Sequence, residues 1–324
     1  MKFNGFIAAL LFAILVAWLL PQGPEILPLK SITDIGIGFI FFFYGLKLSP
    51  AEFKLGFYNY KVHILVQLTT FVLFPLLVLS FVPFFETGTA SNLWLALFFL
   101  GALPSTVSSS VVMVSLARGN MPTAIFNASL SGLLGIVVTP LWMGIFMTSS
   151  NSFEFGTVVQ KLLLQVVLPL VIGLFLQRFF GNFARKNSAK IGLFDKSVIV
   201  LIVYSSFSSA FSTNLFSTVG PEDLLKLAAM VTALFFVVYF ILEKVCKLMG
   251  LPIEDRITAQ FCGTKKSLVH GSVMVKIIFG NSASNALYLL PIMLYHILQL
   301  LVIAVFAEKF RSRISSGVKA TTEE

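Results

Sequence analysis

Pro104-Ser105-Thr106-Val107-Ser108-Ser109-Ser110 and Gly263-Thr264-Lys265-Lys266-Ser267-Leu268-Val269-His270-Gly271 are two polar interruptions of otherwise apolar stretches. They lie in matching halves of a chain of 324 residues. In hydrocarbon an unpaired backbone group is very costly, so a membrane segment is broken only where protein or water covers the break. Paired breaks in the two halves of one membrane protein are the sequence pointer to a transporter's binding site.

The composition agrees. Hydrophobic residues make up 57% of the chain, with 35 Phe and a mean hydropathy of +0.93, and only 11% of residues are charged. Such a chain cannot cover itself with polar surface, so the sequence predicts an all-α integral membrane protein. The net charge of +9 does not point to nucleic acid, because the cations follow a loop pattern. The two cysteines, Cys246 and Cys262, show no metal-ligand spacing. An apolar run from Phe3 to Leu20 follows Lys2, and the Trp18-Leu-Leu-Pro-Gln that ends it is no cleavage site. It is read as a first span rather than a signal peptide.

A span needs about 20 apolar residues. Ten are predicted: 3–21, 31–47, 61–84, 92–117, 120–148, 156–178, 193–214, 223–245, 255–277 and 283–307. Seventeen of the 23 Lys and Arg then fall on one side. They are Lys2; Lys47, Lys54 and Lys61; Arg118; Arg178, Arg185, Lys186, Lys190 and Lys196; Lys244, Lys247 and Arg256; and Lys309, Arg311, Arg313 and Lys319. Lys30, Lys161, Lys226 and Lys276 fall on the other. Cations concentrate in cytoplasmic loops, so both termini are expected in the cytoplasm and the chain in the inner (plasma) membrane.

Ten spans divide into two units of five, residues 1–150 and 151–324. An odd-numbered unit followed by its copy sets the copy upside down, as in inverted-repeat transporters. Residues 99–114 (FLGALPSTVSSSVVMV) lie without gaps over 260–275 (QFCGTKKSLVHGSVMV), which superposes the two interruptions in spans 4 and 9.

The residues at the breaks set out the candidate site. Pro104 has no amide hydrogen. Thr106, Ser108, Ser109 and Ser110 offer hydroxyls, and freed carbonyls and half-helix N-termini bind ions. The alternative is a kinked helix whose serines bond back to their own carbonyls. No acid in their span could neutralise Lys265 and Lys266, since Glu254 and Asp255 lie near its cytoplasmic end, and Ser267 and His270 follow them. A lysine in a span faces a cavity or a partner, so the positive cluster suggests an anionic substrate. The other role is that one lysine caps a half-helix C-terminus as a fixed charge, and both roles hold if the two lysines divide them. Asn127 and Ser131, with Gln67 and Ser129, either line the site or bond between helices. His296 is read as a packing histidine, and Asp34 is the only acid clearly inside a predicted span.

Pro104 through Met113, Leu116-Ala117-Arg118-Gly119-Asn120 and Thr139-Pro140 resemble the bile acid:sodium symporter superfamily. Cys262 through Leu268 resembles its bacterial symporter-like branch, and the likeness covers the whole chain. The resemblance implies ten transmembrane helices in two inverted five-helix repeats, with broken helices 4 and 9 crossing each other. It implies a core domain from spans 3–5 and 8–10 and a panel domain from spans 1, 2, 6 and 7. Members carry organic anions, in well-studied cases with sodium.

The sodium pattern is altered here. The family's Ser-Asn pair in span 4 aligns with Ser109 and Ser110, and the span 5 hydroxyls with Ala124 and Ala128. A glutamate shared by two ion sites aligns with Phe261, and a nearby glutamine with Lys265. Removing a carboxylate and adding an ammonium opposes cation binding. Coupling by sodium or by protons is left open, and oxygens a turn away, in Asn127, Ser129 and Ser131, are the alternative ligands.

The expected function is secondary active transport of a small organic anion by alternating access. The expected partners are that anion and the lipid bilayer, with no cofactor, no metal and no nucleic acid. Against an intramembrane enzyme stands the lack of a His-Glu-x-x-His pattern or paired membrane aspartates. A channel, or a non-transporting regulatory partner, is the alternative. A channel needs a continuous polar stripe, and here polarity gathers at one depth.

Overall fold

The computed structural model describes residues 5–23, 28–47, 57–81, 89–106, 108–147, 155–214, 219–280 and 284–320. Among them there is no strand. The helices are α1 (Gly5–Leu19), α2 (Leu29–Lys47), α3 (Tyr60–Leu79), α4 (Thr89–Ala102), α5 (Ser108–Leu116) and α6 (Met121–Met147). Then follow α7 (Phe155–Leu162, continuing into Leu168–Lys186), α8 (Ser188–Ser212), α9 (Pro221–Leu248), α10 (Ile253–Gly263), α11 (Leu268–Phe279) and α12 (Asn285–Ala320).

Seven of these, α2, α3, α6, α7, α8, α9 and α12, are long and apolar enough to cross a membrane. Ala8–Leu19 of α1 and Leu93–Ala102 of α4 are shorter apolar helices. The remaining short helices border the two interruptions, so the fourth and ninth sequence stretches are each divided into two half-helices. Outward faces carry Phe12, Trp18, Phe175, Phe179 and Val137, all exposed. Large apolar side chains spread this widely over an outer surface face lipid.

Local chemistry explains the helix ends. The Asp223 carboxylate accepts the Gly220 amide at 3.1 Å, with Pro221 opening α9. Ser267 caps α11 by accepting the His270 amide at 3.2 Å. Helices α3 and α7 each contain a π-helical turn, at Thr69–Leu73 and Leu163–Val167, shortly before Pro75 and Pro169. A proline has no N–H for the regular ladder, and the wider turn takes up the mismatch.

Two boundaries differ from the sequence reading. The gap predicted at 178–193 is helical on both sides, with a break only at Asn187. Helix α12 runs to Ala320, beyond the predicted 307. Lys and Arg end an apolar run, but their methylene stems let a helix continue into the interface. Hydropathy therefore stops where the helix does not.

Helix α2 packs most extensively along α7, and α1 along α8. Helix α12 packs on α4, α9 and α11, while α10 packs on α3, α6 and α9. The α2–α7 contact is backbone on backbone. A Cβ on Gly45 would lie 2.2 Å from the Leu170 carbonyl, and one on Gly173 would lie 2.2 Å from the Phe42 carbonyl. Gly45→Ala is expected to destabilise the protein by about 1–3 kcal/mol, because the neighbouring backbone has nowhere to move. Melting of the purified variant in detergent checks this, and an unchanged melting temperature would refute the close contact.

Candidate functional site

The two interruptions meet. The Ser267 amide donates to the Pro104 carbonyl at 2.9 Å, and the Ser105 hydroxyl donates to the Cys262 carbonyl at 2.5 Å. Each break supplies the hydrogen bonds that the other lacks.

The last carbonyls of a helix have no partner within it. At the end of α4 they find partners elsewhere. The Ala102 carbonyl accepts from Thr139 Oγ1 at 2.7 Å, and the Gly101 and Leu103 carbonyls accept from Lys266 Nζ at 2.6 and 2.8 Å. The Ser105 amide, the regular helical donor to Gly101, is instead taken by Ser131 Oγ at 2.9 Å. At the end of α10, Gln260 accepts from Thr264 Oγ1 at 2.6 Å and Phe261 from Ser110 Oγ at 3.4 Å. The Thr264 carbonyl accepts from Tyr295 Oη at 2.5 Å.

Lys266 is enclosed, and its ammonium makes a third bond of 2.8 Å to the Thr70 carbonyl. That carbonyl is freed by the π turn: the Phe74 amide bonds to Thr69, and Pro75 has no amide hydrogen. An ammonium has three N–H groups. All three of Lys266 are engaged by backbone oxygens, and the charge stands 4.1 Å from the centre of the Phe74 ring. In this structure Lys266 has the capping role, at the negative end of α4.

Lys265 is different. It is fully enclosed, and its Nζ donates to the Ser109 carbonyl at 2.7 Å across the two breaks. An ammonium has three N–H groups, and among the described residues the Ser109 carbonyl is the one acceptor that Lys265 meets. Beside it the Thr106 and Ser109 hydroxyls lie 2.5 Å apart, and Ser109 is partly accessible. The half-helices α5 and α11 both begin at the breaks, where their N-termini favour negative charge. No cluster of three or more His, Cys, Asp or Glu fit for a metal occurs among the described residues.

The predicted residues fall into separate groups. Thr106, Ser109, Ser110 and Lys265 come together, and Ser131 joins them through the Ser105 amide. The side chain of Ser108 lies outside the described residues. Ser267 and His270 form a second group, with Ser267 Oγ 2.9 Å from His270 Nδ1 and the imidazole edge-on to Phe41 and Tyr44 of α2. Asn127 stands apart. Its oxygen accepts from Gln67 Nε2 at 3.2 Å and its amide donates to the Thr123 carbonyl at 3.1 Å, so it ties α3 to α6.

The sequence reading missed Gln299. Its side chain accepts from the Lys266 amide at 2.8 Å and donates to the Lys266 carbonyl at 2.9 Å, closing a two-point clamp. It also holds His296 Nδ1 at 3.0 Å, which gives that packing histidine its partner. A lone glutamine in an apolar helix, 33 residues from the break it serves, carries no local signal. Gln299→Leu leaves a buried amide and a buried carbonyl unpaired, at about 1–3 kcal/mol each. Its melting temperature is expected to fall by several degrees, while Gln299→Glu, which keeps one acceptor, should fall less.

The Leu116-Ala117-Arg118-Gly119-Asn120 string is the elbow between α5 and α6. Arg118 has φ 55°, and a Cβ on Gly119 would come within 2.9 Å of Ile257. The Asn120 side chain donates to Asp255 at 2.8 Å, and its carbonyl accepts from Thr258 at 3.2 Å. These contacts bind the elbow of the first break to the helix that leads into the second.

An all-helical membrane protein in which two interrupted helices complete each other has the architecture of a transporter. The chain belongs to the SBF-like CPA transporter family, whose model matches residues 4–312. It is 36% identical over 324 residues to protein PA2026 of Pseudomonas aeruginosa, which covers 99% of this chain and 96% of that one. It is 32% identical over 329 residues to sodium/bile acid cotransporter 7-B of Xenopus laevis, covering 97% and 94%. The family is one of transporters, not of enzymes.

Proposed function

We propose that this protein is a secondary active transporter of small organic anions, working by alternating access around the paired breaks. Its ten spans form two inverted repeats of five in the inner membrane, with both termini in the cytoplasm. Spans 3–5 and 8–10 form the core, and spans 1, 2, 6 and 7 form the panel. The pairing of α1 with α8 and of α2 with α7 supports that division. The name of the Xenopus relative, a sodium/bile acid cotransporter, supports an organic anion as substrate.

The observation that carries the proposal is Lys265. Its ammonium bridges the two breaks through Ser109, and two of its N–H groups have no acceptor among the described residues. By its resemblance to the sodium-coupled members, the chain has Phe261 and Lys265 where those carry ion ligands. Lys265 takes the place of a coupling sodium, as a cation held by the chain, and an anion completes the charge balance. Lys266 fixes the scaffold and does not touch the anion.

A thermal-shift screen of small organic anions, each run with sodium and with potassium, tests this first. A ligand of the folded state raises apparent stability with the logarithm of its concentration. A hit should then enter proteoliposomes in a saturable manner. Uptake that rises linearly without saturation would favour a channel, and a hit bound but never carried would favour a regulatory protein.

A further inference from the structure

A polar cleft of about 30 Å³ lies away from the breaks, lined by Thr33 of α2, Ser205, Ser206 and Ser209 of α8, Lys276 of α11 and Asn285 of α12. Its lining is unusual for a chain this apolar. The Asn285 Oδ1 is enclosed and has no hydrogen-bond partner among the described residues, while its amide donates to the Gly280 carbonyl at 2.6 Å. The space is about that of one water, and an acceptor unpaired among the described residues beside it marks a place for a polar group.

Lys276 bounds this cleft and joins it to α2. Its ammonium pairs with Asp34 Oδ1 at 2.7 Å, donates to the Lys30 carbonyl at 3.1 Å and contacts Thr33 Oγ1. One cation on α11 therefore holds three acceptors on about one turn of α2. The Lys276 side chain is 11% exposed and that of Asp34 32%, so the more buried partner of the pair is the one that lines the cleft. Helix α11 continues from the second break and packs on α12 and on α8, whereas α2 packs along α7 and α8. Relative movement of these two groups has to part the pair.

We propose that Lys276 and Asp34 form the outer gate of the transport path, with the serine-lined cleft as the vestibule behind it. The gate rests on the transport reading above and on the cation distribution, which sets Lys30 and Lys276 on the external side. In the closed state the ammonium is satisfied by α2. In the open state the ammonium and the carboxylate are each solvated, and the cleft admits solutes from outside.

The test is cysteine accessibility, with Ser209→Cys as reporter; Cys246 and Cys262 are buried. A membrane-impermeant maleimide is added to intact cells. Labelling is expected to be slow with the pair intact and at least about fivefold faster in Asp34→Asn and in Lys276→Gln, as an ion pair that biases an equilibrium requires. The exchanged pair, Asp34→Lys with Lys276→Asp, should label slowly again. Unchanged rates in both single variants overturn the gate, as does an exchanged pair as fast as the singles. If the single variants do not fold, Asp34→Cys with Lys276→Cys replaces them, with labelling read at position 209 alone by peptide mass spectrometry: oxidation should block labelling there and reduction restore it, and indifference of position 209 to oxidation overturns the proposal. Labelling needs no transported substrate, so a protein that labels as expected but carries no anion refutes the transport reading alone.

Discussion

Lys266→Met is expected to destabilise this protein strongly. The substitution keeps the volume of the side chain and removes three hydrogen bonds, to Thr70, Gly101 and Leu103. The π turn, Pro75 and the engaged Ser105 amide have removed the helical donors to the Thr70 and Gly101 carbonyls. An unsatisfied buried acceptor costs about 1–3 kcal/mol, so three of them cost about 3 kcal/mol or more. At about 2.1 cal/mol/K of unfolding entropy per residue, a chain of 324 residues loses about 1.5 °C per kcal/mol, so the melting temperature falls by about 5 °C or more. Size-exclusion profile and thermal melting in detergent check the result. Lys265→Met is the comparison, since it removes one such bond and should melt closer to the parent. A Lys266→Met variant as stable as the parent would show that these carbonyls need no cation.

The second large effect is a gain. Phe261→Glu with Lys265→Gln is expected to make the protein sodium-dependent. The substitutions remove the ammonium at Ser109 and add a carboxylate on the last turn of α10, at a residue whose carbonyl accepts from Ser110 and whose ring stands edge-on to Phe310. A buried carboxylate without a countercharge is strongly destabilising, so the variant should be unstable in potassium. Sodium that binds the folded state would restore it, by about 2.7 kcal/mol at a hundred times its dissociation constant. Melting temperature against sodium concentration reads this directly. The parent should show no such slope. A double variant equally stable in both salts would mean that the region cannot form a cation site, and that Lys265 does not stand in for one.

The breaks were legible because they are chemical anomalies. Pro104, a run of hydroxyls and two lysines cannot sit in hydrocarbon without a reason, and hydropathy exposes them at once. What each lysine does was not legible. Lys265 and Lys266 are adjacent and share a neighbourhood in sequence, yet one meets a single carbonyl and the other three. The difference comes from the π turn in α3, which lies 196 residues from Lys266 in sequence and shows only as Pro75 inside an apolar run. Asn127 was ambiguous for the same reason. An amide in a span signals a partner, but only packing tells whether that partner is Gln67 or a solute. Asp34 stood out as the acid inside a span, and its partner Lys276 was counted only as a loop cation. Helix ends at 186 and 320 escaped because basic residues stop a hydropathy window without stopping a helix.

The most direct measurement is uptake of an organic anion found by the thermal-shift screen, in proteoliposomes of the unmodified protein held at fixed membrane potential. External sodium is replaced stepwise by potassium. With Lys265 as the tethered cation, the initial rate is the same throughout. Steep, saturable stimulation by sodium would contradict that role and send the search for ion ligands back to Asn127, Ser129, Ser131 and the carbonyls of the breaks.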